Sequence, residues 1–351
     1  MQVVIPSVFQ TTSLLDMMGE PRLPVLDNLL ARGRQLACQP ANLVDWLGRE
    51  LCIAHQHDTP IAAICLAEDG LDPGHGFWLR ADPVHVRVAR DQLILSNMTD
   101  LSHDEAEQLR QDLVAHFGED FSPVVTHTGT WFVEVNRHTG ISTTALPSAI
   151  GKHIDPLLPA GKDALHWRKL LNEIQMLLFD HPVNQAREAR GLPTANSLWL
   201  WGGGSLPAVP HISMKPAIMT SHPLALTLTK FAGASLLPMQ AAWQSSQTSA
   251  PNSSNLFIFD QPHTALQQGD LAAWLDAIRA LENNWLKPLY HSKLHFDLID
   301  PEAGKILGWN SLDRWKFWRK PEKIRQQTLE LSAPDAGSTQ LAHVDEFGNR
   351  F

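Results

Sequence analysis

The fold is decided by residues 163–204, which read DALHWRKLLNEIQMLLFDHPVNQAREARGLPTANSLWLWGGG. Apolar side chains recur every three or four positions from 163 to 179, a spacing that predicts an amphipathic helix. They are Trp167, Leu170, Leu171, Ile174, Leu177 and Leu178. The run at 196–204 is apolar and ends in three glycines, so it predicts a buried strand that leads into a glycine loop.

The sequence on either side shows two further kinds of pattern. Buried apolar runs alternate with helical segments through 196–300, and residues 3–6, VVIP, read as an opening strand. This combination predicts an α/β sheet flanked by helices. Residues 76–150 instead contain alternating hairpin segments, and Ser102 with Glu105 forms a capping box that begins a helix. That region predicts an inserted α+β subdomain.

Domain boundaries follow from this division. We expect residues 1–72 and 191–331 to form one split α/β domain around an inserted subdomain at 73–190. The apolar run 61–66, IAAICL, is short and bounded by turn residues, so it predicts a buried strand. We expect residues 332–351 to form a mobile tail.

Composition excludes several classes of function. The chain has 351 residues, of which 44% are hydrophobic and 19% charged, a balance typical of a globular protein. Its net charge of -9 argues against nucleic acid as a partner, because phosphate binding depends on clustered Lys and Arg. The first ten residues lack the pattern of a leader peptide, and no apolar run is long enough to cross a bilayer. We expect a cytoplasmic protein without membrane association.

Three stretches together resemble a known family. They are FWLRADPVHVRVARDQLIL (77–95) with the helix that follows, the segment 147–204, and LFIFDQPHTALQQGD (256–270) with its helix. Their order and spacing are similar to those of the archaeal-type cofactor-independent phosphoglycerate mutases, which belong to the alkaline-phosphatase-like superfamily. The chain also resembles a bacterial group named regulatory protein RpfE. The resemblance implies an alkaline-phosphatase-like sheet flanked by helices and an inserted α+β subdomain that handles substrate.

The resemblance also implies a specific chemistry, from which this chain departs. Active family members place an Asp at the end of the first strand, a Ser or Thr nucleophile at a helix start, and further Asp and His residues around two divalent metals. Here the first strand runs into Pro6 and Ser7, and Gln267 and Gln268 stand where the family has acidic and His ligands. We therefore expect a catalytically degenerate homologue without catalytic residues and without a cofactor, which acts in regulation.

Two alternatives stay open. One is an active metal-dependent phosphoglycerate mutase or phosphomonoesterase, whose zinc or manganese site is rebuilt from Asp260, His263, His295 and Asp297. Residues two apart on a strand share a face, so the last two can point the same way. The other alternative is a purely structural interaction module that binds no small molecule.

A ligand site is predicted from the polar residues that match the family's substrate-handling segments. They are Arg80, His85, Asn184, Arg187, Arg190, Gly202 and Gly203. A guanidinium fork binds phosphate and carboxylate oxygens in pairs, so we expect a small phosphorylated or carboxylated ligand, or else a protein partner. The competing interpretation is that Arg187 and Arg190 cover a helix end and pair with Glu173 or Glu188.

Overall fold

A computed structural model describes residues 1–9, 22–89, 91–98, 100–212, 214–244 and 255–319. The predicted tail at 332–351 lies outside the described residues. The described chain is a mixed α/β structure built on two sheets, which confirms the predicted fold class.

A seven-stranded sheet is the first of the two sheets in the described part of the chain. In spatial order its strands are β2 (Arg34–Ala37), β12 (Lys305–Trp309), β11 (Phe296–Asp300), β1 (Gln2–Val4), β10 (Asn255–Ile258), β8 (Ala217–Met219) and β9 (Ser235–Leu236). From β11 to β9 every neighbouring pair is parallel, whereas β12 and β2 are antiparallel additions at one side. The carboxyl ends of the parallel strands therefore share one edge of the sheet.

The second sheet is antiparallel and is organised around one long strand. Its order is β4 (Gln92–Asn97), β3 (Phe77–Ala89), β6 (Trp131–Val135) and β5 (Pro123–Val125), and β7 (Ser197–Gly204) also pairs with β3. The hairpin predicted at 76–95 is present as β3 and β4. Strand β7 extends this sheet beyond residue 190, although the predicted boundary assigned 191–331 to the split domain.

The helices of the described residues follow the predicted spacing in most places. They are α1 (Pro24–Arg32), α2 (Leu43–Glu50), α3 (Ile61–Glu68), α4 (His103–Phe117), α5 (Leu146–Ala149), α6 (Ala164–Phe179), α7 (Pro182–Ala189), α8 (Pro223–Phe231), α9 (Gln261–Gln267), α10 (Leu271–Leu281) and α11 (Lys287–His291). The capping box of α4 is complete, with both Ser102 and Glu105 bonded to backbone N–H groups. No helix in the described ranges is long and apolar enough to cross a membrane.

Residues 61–66 form a helix, so the strand predicted there is wrong. The six residues IAAICL are all buried in α3, which packs against β3 and β7 of the second sheet and against helix α8. A run that is apolar on every side carries no periodicity, so a short buried helix and a short buried strand look alike in sequence. The helix forms because neighbours surround it and every face has apolar atoms to contact.

One hydrophobic core joins the two sheets across α3. Val4 and Ile258 of the first sheet belong to the same buried cluster as Trp78 and Trp201 of the second. Burying an aromatic side chain of this size contributes a few kcal/mol. The relative position of the sheets therefore depends on large apolar side chains around this short helix.

Substitution of Gly202 in β7 tests how tightly α3 packs on the second sheet. Its φ is +67°, and a Cβ at this position would collide with Cγ2 of Ile61. We expect Gly202→Ala to lower the free energy of unfolding by roughly 2–5 kcal/mol, because left-handed strain and overpacking add. Urea unfolding measures the loss.

Gly191 supplies the matched control for this substitution. Its φ is +71°, but a Cβ there would meet nothing within 4 Å. Gly191→Ala should therefore cost only the backbone term of about 1–2 kcal/mol. Equal losses in the two variants would show that α3 does not pack closely on Gly202.

Candidate functional site

Polar residues collect where three parallel strands of the first sheet end. Ser7 follows β1, Asp260 follows β10, and Asp300 is the last residue of β11. His222 follows neighbouring strand β8 and caps helix α8, where its ring accepts the Ala225 N–H at 3.3 Å. Ligands of open α/β sheets bind at this carboxyl edge, so the cluster is the candidate functional site.

Asp300 organises the turns at this edge. Its carboxylate is fully buried and accepts backbone N–H groups from Ser7 at 3.0 Å, Phe9 at 2.8 Å, and Glu302 and Ala303 at 3.1 Å each. Burial raises the pKa of Asp300 to about 6, although the N–H donors act in the opposite direction. Both carboxylate oxygens are therefore committed to the backbone.

Ser7 lies at the centre of a second network. Its φ is +60°, and its Oγ donates to the carboxylate of Glu302 and lies 2.9 Å from Nδ1 of His263. The side-chain amide of Gln267 donates to the Pro147 carbonyl and approaches Nε2 of His263 at 2.7 Å. An amide nitrogen only donates, so Nε2 accepts and Nδ1 of the neutral ring carries the proton toward Ser7.

The electrostatics favour the neutral form of this imidazole. Burial lowers the pKa of His263, the nearby carboxylate of Glu302 opposes this effect, and the positive charge of Lys152 adds to it. The His263 and Glu302 side chains are only 14% and 10% exposed. The network is thus a closed chain of hydrogen bonds rather than an open set of ligands.

The segment 146–153, which lies between β6 and β7 in the chain, contacts this edge of the first sheet. Pro147 of α5 accepts the Gln267 amide, and Lys152 places its positive charge near His263. Lys152 is itself exposed to solvent. The candidate site therefore lies between the strand ends and the segment 146–153, with the positive charge of Lys152 acting on His263.

The donor set does not fit the two-metal centre that the family resemblance implies. No three His, Cys, Asp or Glu side chains in the described ranges are placed to hold an ion together. Asp300 accepts four N–H groups, and Ser7 rather than a carboxylate follows the first strand. Metal ligands must present free lone pairs, and these side chains use theirs within the protein.

The structure also separates the four residues of the predicted rebuilt metal site. Asp260 and His263 lie at the carboxyl edge, close enough for their charges to interact. His295 precedes β11 and Asp297 is its second residue, so both lie toward its amino end, with Asp297 about 10 Å from Asp300 along the strand. The sequence pattern placed His295 and Asp297 together, but both lie toward the amino end of β11, whereas Asp260 and His263 lie at the carboxyl edge.

Arg80, the first residue of the predicted ligand site, is an internal residue of the second sheet. Its guanidinium pairs with Asp82 at 2.6 and 3.0 Å and lies over the rings of Trp201, at 5.0 Å, and Phe132, at 6.0 Å. Its side chain is 14% exposed. Its charge is balanced inside the fold.

Asn184, Arg187 and Arg190 surround the turn that precedes β7. Arg187 is fully buried and donates to the Pro193 carbonyl at 2.7 Å, to Asp100 at 2.7 Å and to Glu105 at 2.9 Å. Arg190 also donates to Glu105. The partners are thus residues at the start of α4 rather than Glu173 or Glu188.

Two other members of the predicted site complete this internal network. The Asn184 amide donates to the Leu178 and Ala195 carbonyls at 2.7 and 3.0 Å. The ring of His85 lies 2.9 Å from the Thr194 carbonyl. The structure therefore groups His85 with Asn184 and Arg187 as a clamp on residues 192–196, apart from Arg80. Arg190 lies beside the clamp and shares Glu105 with Arg187.

Gly202 and Gly203 belong to strand β7 rather than to a loop. Their N–H groups donate to Oγ1 of Thr143 at 3.0 Å and to Asp58 at 3.3 Å. Burial raises the pKa of Asp58, which the Thr143 and Gly203 donors oppose. A cavity beside Gly202 has a volume of about 10 Å³, which is room for roughly one water molecule.

Sequence reasoning missed Asp300 and Glu302 as members of the strand-end cluster. Both lie in HFDLIDPE (295–302), where an apolar strand is followed directly by acidic residues. That pattern is a usable signal, since residues after parallel strands meet at one edge. The Ser7–His263 contact has no sequence signal, because it joins positions more than 250 residues apart.

Comparison with known proteins gives relatives of one kind. A 2,3-bisphosphoglycerate-independent phosphoglycerate mutase of Methanothrix thermoacetophila is 28% identical over 158 residues, which is 40% of this chain and 40% of the relative. The protein of the same name from Methanosarcina mazei is 28% identical over 207 residues, 53% of this chain and 49% of the relative. The Methanosarcina barkeri protein is 32% identical over 110 residues, 30% and 28% of the two chains. No protein-family model matches the chain.

The chain therefore has archaeal phosphoglycerate mutases as its homologues. They are of the cofactor-independent type, at modest identity, and the match spans less than half of the length of these relatives.

Two solved structures align over most of the chain. The PH0037 protein from Pyrococcus horikoshii is 14% identical with a TM-score of 0.44, covering 94% of this chain and 91% of its own. The cofactor-independent phosphoglycerate mutase from Thermoplasma acidophilum is 18% identical with a TM-score of 0.38, covering 88% of each chain.

The buried arginine of the clamp should contribute far more to stability than its exposed neighbour. Arg187→Ala leaves Asp100 and Glu105 without their buried partner, so we expect it to cost about 3–5 kcal/mol of unfolding free energy. Arg190→Ala removes an ion pair whose arginine is 54% exposed and should cost about 1 kcal/mol or less. Urea unfolding of both variants measures this difference, and similar losses would contradict the structural assignment of Arg187.

Asp300 should make stability depend on pH in a defined direction. Its folded-state pKa of about 6 lies above the ordinary value near 3.8, so the folded protein binds the proton more tightly than the unfolded chain. The stabilisation is complete below about pH 4, is lost as pH rises to about 6, and is level above.

Comparison with Asp300→Asn isolates this dependence. The unfolding free energy of the wild type minus that of the variant should fall between pH 4 and pH 6 at constant ionic strength. A difference that grows over the same interval would mean that the folded state prefers the ionised carboxylate.

Proposed function

We propose that this chain is a catalytically degenerate homologue of 2,3-bisphosphoglycerate-independent phosphoglycerate mutase that acts as a binding protein in regulation. The ligand we propose is a small phosphorylated or carboxylated molecule, and the alternative is a protein partner. The observation that carries the proposal is the closed hydrogen-bond network of Ser7, His263, Glu302 and Gln267 at the strand ends.

The loss of phosphoryl transfer follows from what this network does to its members. The resemblance implies a metal-activated Ser or Thr nucleophile and two divalent ions that neutralise the transferring group. Ser7 instead donates to Glu302 and accepts from His263, while Asp300 accepts four backbone N–H groups. Recruiting these groups to a metal would break several buried hydrogen bonds, each worth about 1 kcal/mol or more.

The binding part of the proposal is supported by an exposed cation near the same residues. Lys152 is exposed and its positive charge acts on His263. An ammonium group suits a phosphate or carboxylate oxygen. Ser221 is also exposed, and its hydroxyl donates to Asp260 at 3.3 Å. A ligand there would contact the strand ends and the segment 146–153 together.

Mutase turnover and metal content test the proposal directly. We expect the purified chain, supplied with Mn²⁺ or Zn²⁺, to give no conversion of 3-phosphoglycerate in a coupled assay and no stoichiometric metal in elemental analysis. The Methanosarcina mazei relative serves as the positive control in the same assay. Stoichiometric metal together with turnover would instead establish the active-enzyme alternative.

Ligand binding is tested by thermal unfolding in the presence of 3-phosphoglycerate and of inorganic phosphate. A ligand that binds only the folded state raises the melting temperature. We expect Lys152→Ala to abolish the rise, whereas Lys169→Ala, an exposed lysine on α6, should keep it. A flat response of the wild type would overturn small-molecule binding and favour a structural interaction module.

A further inference from the structure

A polar cavity of about 650 Å³ lies at the edge of the first sheet opposite to the candidate functional site. It is lined by His295 and Asp297 at the start of β11, by Gly308 and Trp309 at the end of β12, and by Arg34 at the start of β2. The proposed function makes no use of this cavity.

The floor of the cavity is a cross-strand row of acid, glycine and base. Asp297 is paired with Gly308, and Gly308 with Arg34, in adjacent antiparallel strands. Directly paired residues present their side chains on the same face of a sheet. A Cβ at Gly308 would lie 3.2 Å from Oδ1 of Asp297 and 3.8 Å from Nε of Arg34, so glycine leaves a gap between the two charged groups.

The two charges flank this gap without contacting each other. Within the described ranges neither the Asp297 carboxylate nor the Arg34 guanidinium makes a hydrogen bond or an ion pair. The other acid of the cavity, Asp313, differs because it binds Lys316 at 2.6 Å and the Asn310 N–H at 2.9 Å. The cavity thus offers one acceptor and one bidentate donor for a ligand.

We propose that this cavity binds a free α-amino acid through its ammonium and carboxylate groups. Arg34 binds the carboxylate as a fork, and Asp297 accepts from the ammonium across the gap left by Gly308. Asp313 and Lys316 neutralise each other, so Arg319 leaves the remainder of the cavity with one positive charge, which favours an acidic side chain on the ligand. A simple anion would meet the repulsive charge of Asp297, and a cation that of Arg34.

Calorimetric titration of the full chain tests the two-charge requirement. The probes are L-glutamate, L-aspartate and neutral L-amino acids, each compared with its N-acetyl and its carboxamide derivative. We expect the free acidic amino acids to bind most tightly, and each derivative to bind roughly tenfold or more weakly because it lacks one charged hydrogen bond. Absence of binding by every free amino acid at millimolar concentration would overturn the proposal.

Three variants locate the site without touching the strand-end network. Arg34→Gln and Asp297→Asn should each weaken L-glutamate binding roughly tenfold, and Gly308→Ala should do so by filling the gap while it keeps both charges. Unfolding curves confirm that each variant is folded. Lys152→Ala, at the strand-end site, should leave amino-acid binding unchanged, so this proposal and the proposed function can fail separately.

Titration with inorganic phosphate tests the remaining interpretation, which is that the cavity is a simple anion site. Phosphate binding that equals glutamate binding and strengthens in Asp297→Asn would identify a simple anion site and sink the amino-acid assignment. Glutamate binding that is indifferent to all three cavity variants would place the ligand elsewhere on the chain and have the same consequence.

Discussion

The carboxylate of Asp300 is the interaction on which the strand-end region depends. It is fully buried at the end of β11 and binds N–H groups from the turn after β1 and from its own turn. A buried carboxylate is stable only when its lone pairs are satisfied. This requirement fixes the backbone around Ser7, and hence the position from which its hydroxyl meets His263 and Glu302.

A similar principle explains the polar residues of the second sheet. Arg80, Asn184 and Arg187 resemble a substrate-binding set because the types that hold oxyanions also hold turns and strand ends. In the fold Arg80 is balanced by Asp82, and Arg187 by Asp100 and Glu105. Charged side chains that are buried and fully paired bind a ligand only if those pairs break, which makes an external ligand costly.

The two edges of the first sheet consequently differ in character. At the carboxyl edge the polar groups bond to one another, and Lys152 remains exposed. At the other edge Asp297 and Arg34 face a cavity across Gly308 without contact. Homology to phosphoglycerate mutases covers part of the chain.

The sequence by itself determined the α/β class, the hairpin of β3 and β4, the capping box of α4 and the amphipathic helix α6, because each depends on spacing within a few residues. Tertiary structure alone decided that residues 61–66 are helical, that β7 joins the second sheet, and that His295 and Asp297 lie far from His263. These outcomes depend on which distant surfaces meet, and residue spacing carries no record of contacts between positions hundreds of residues apart.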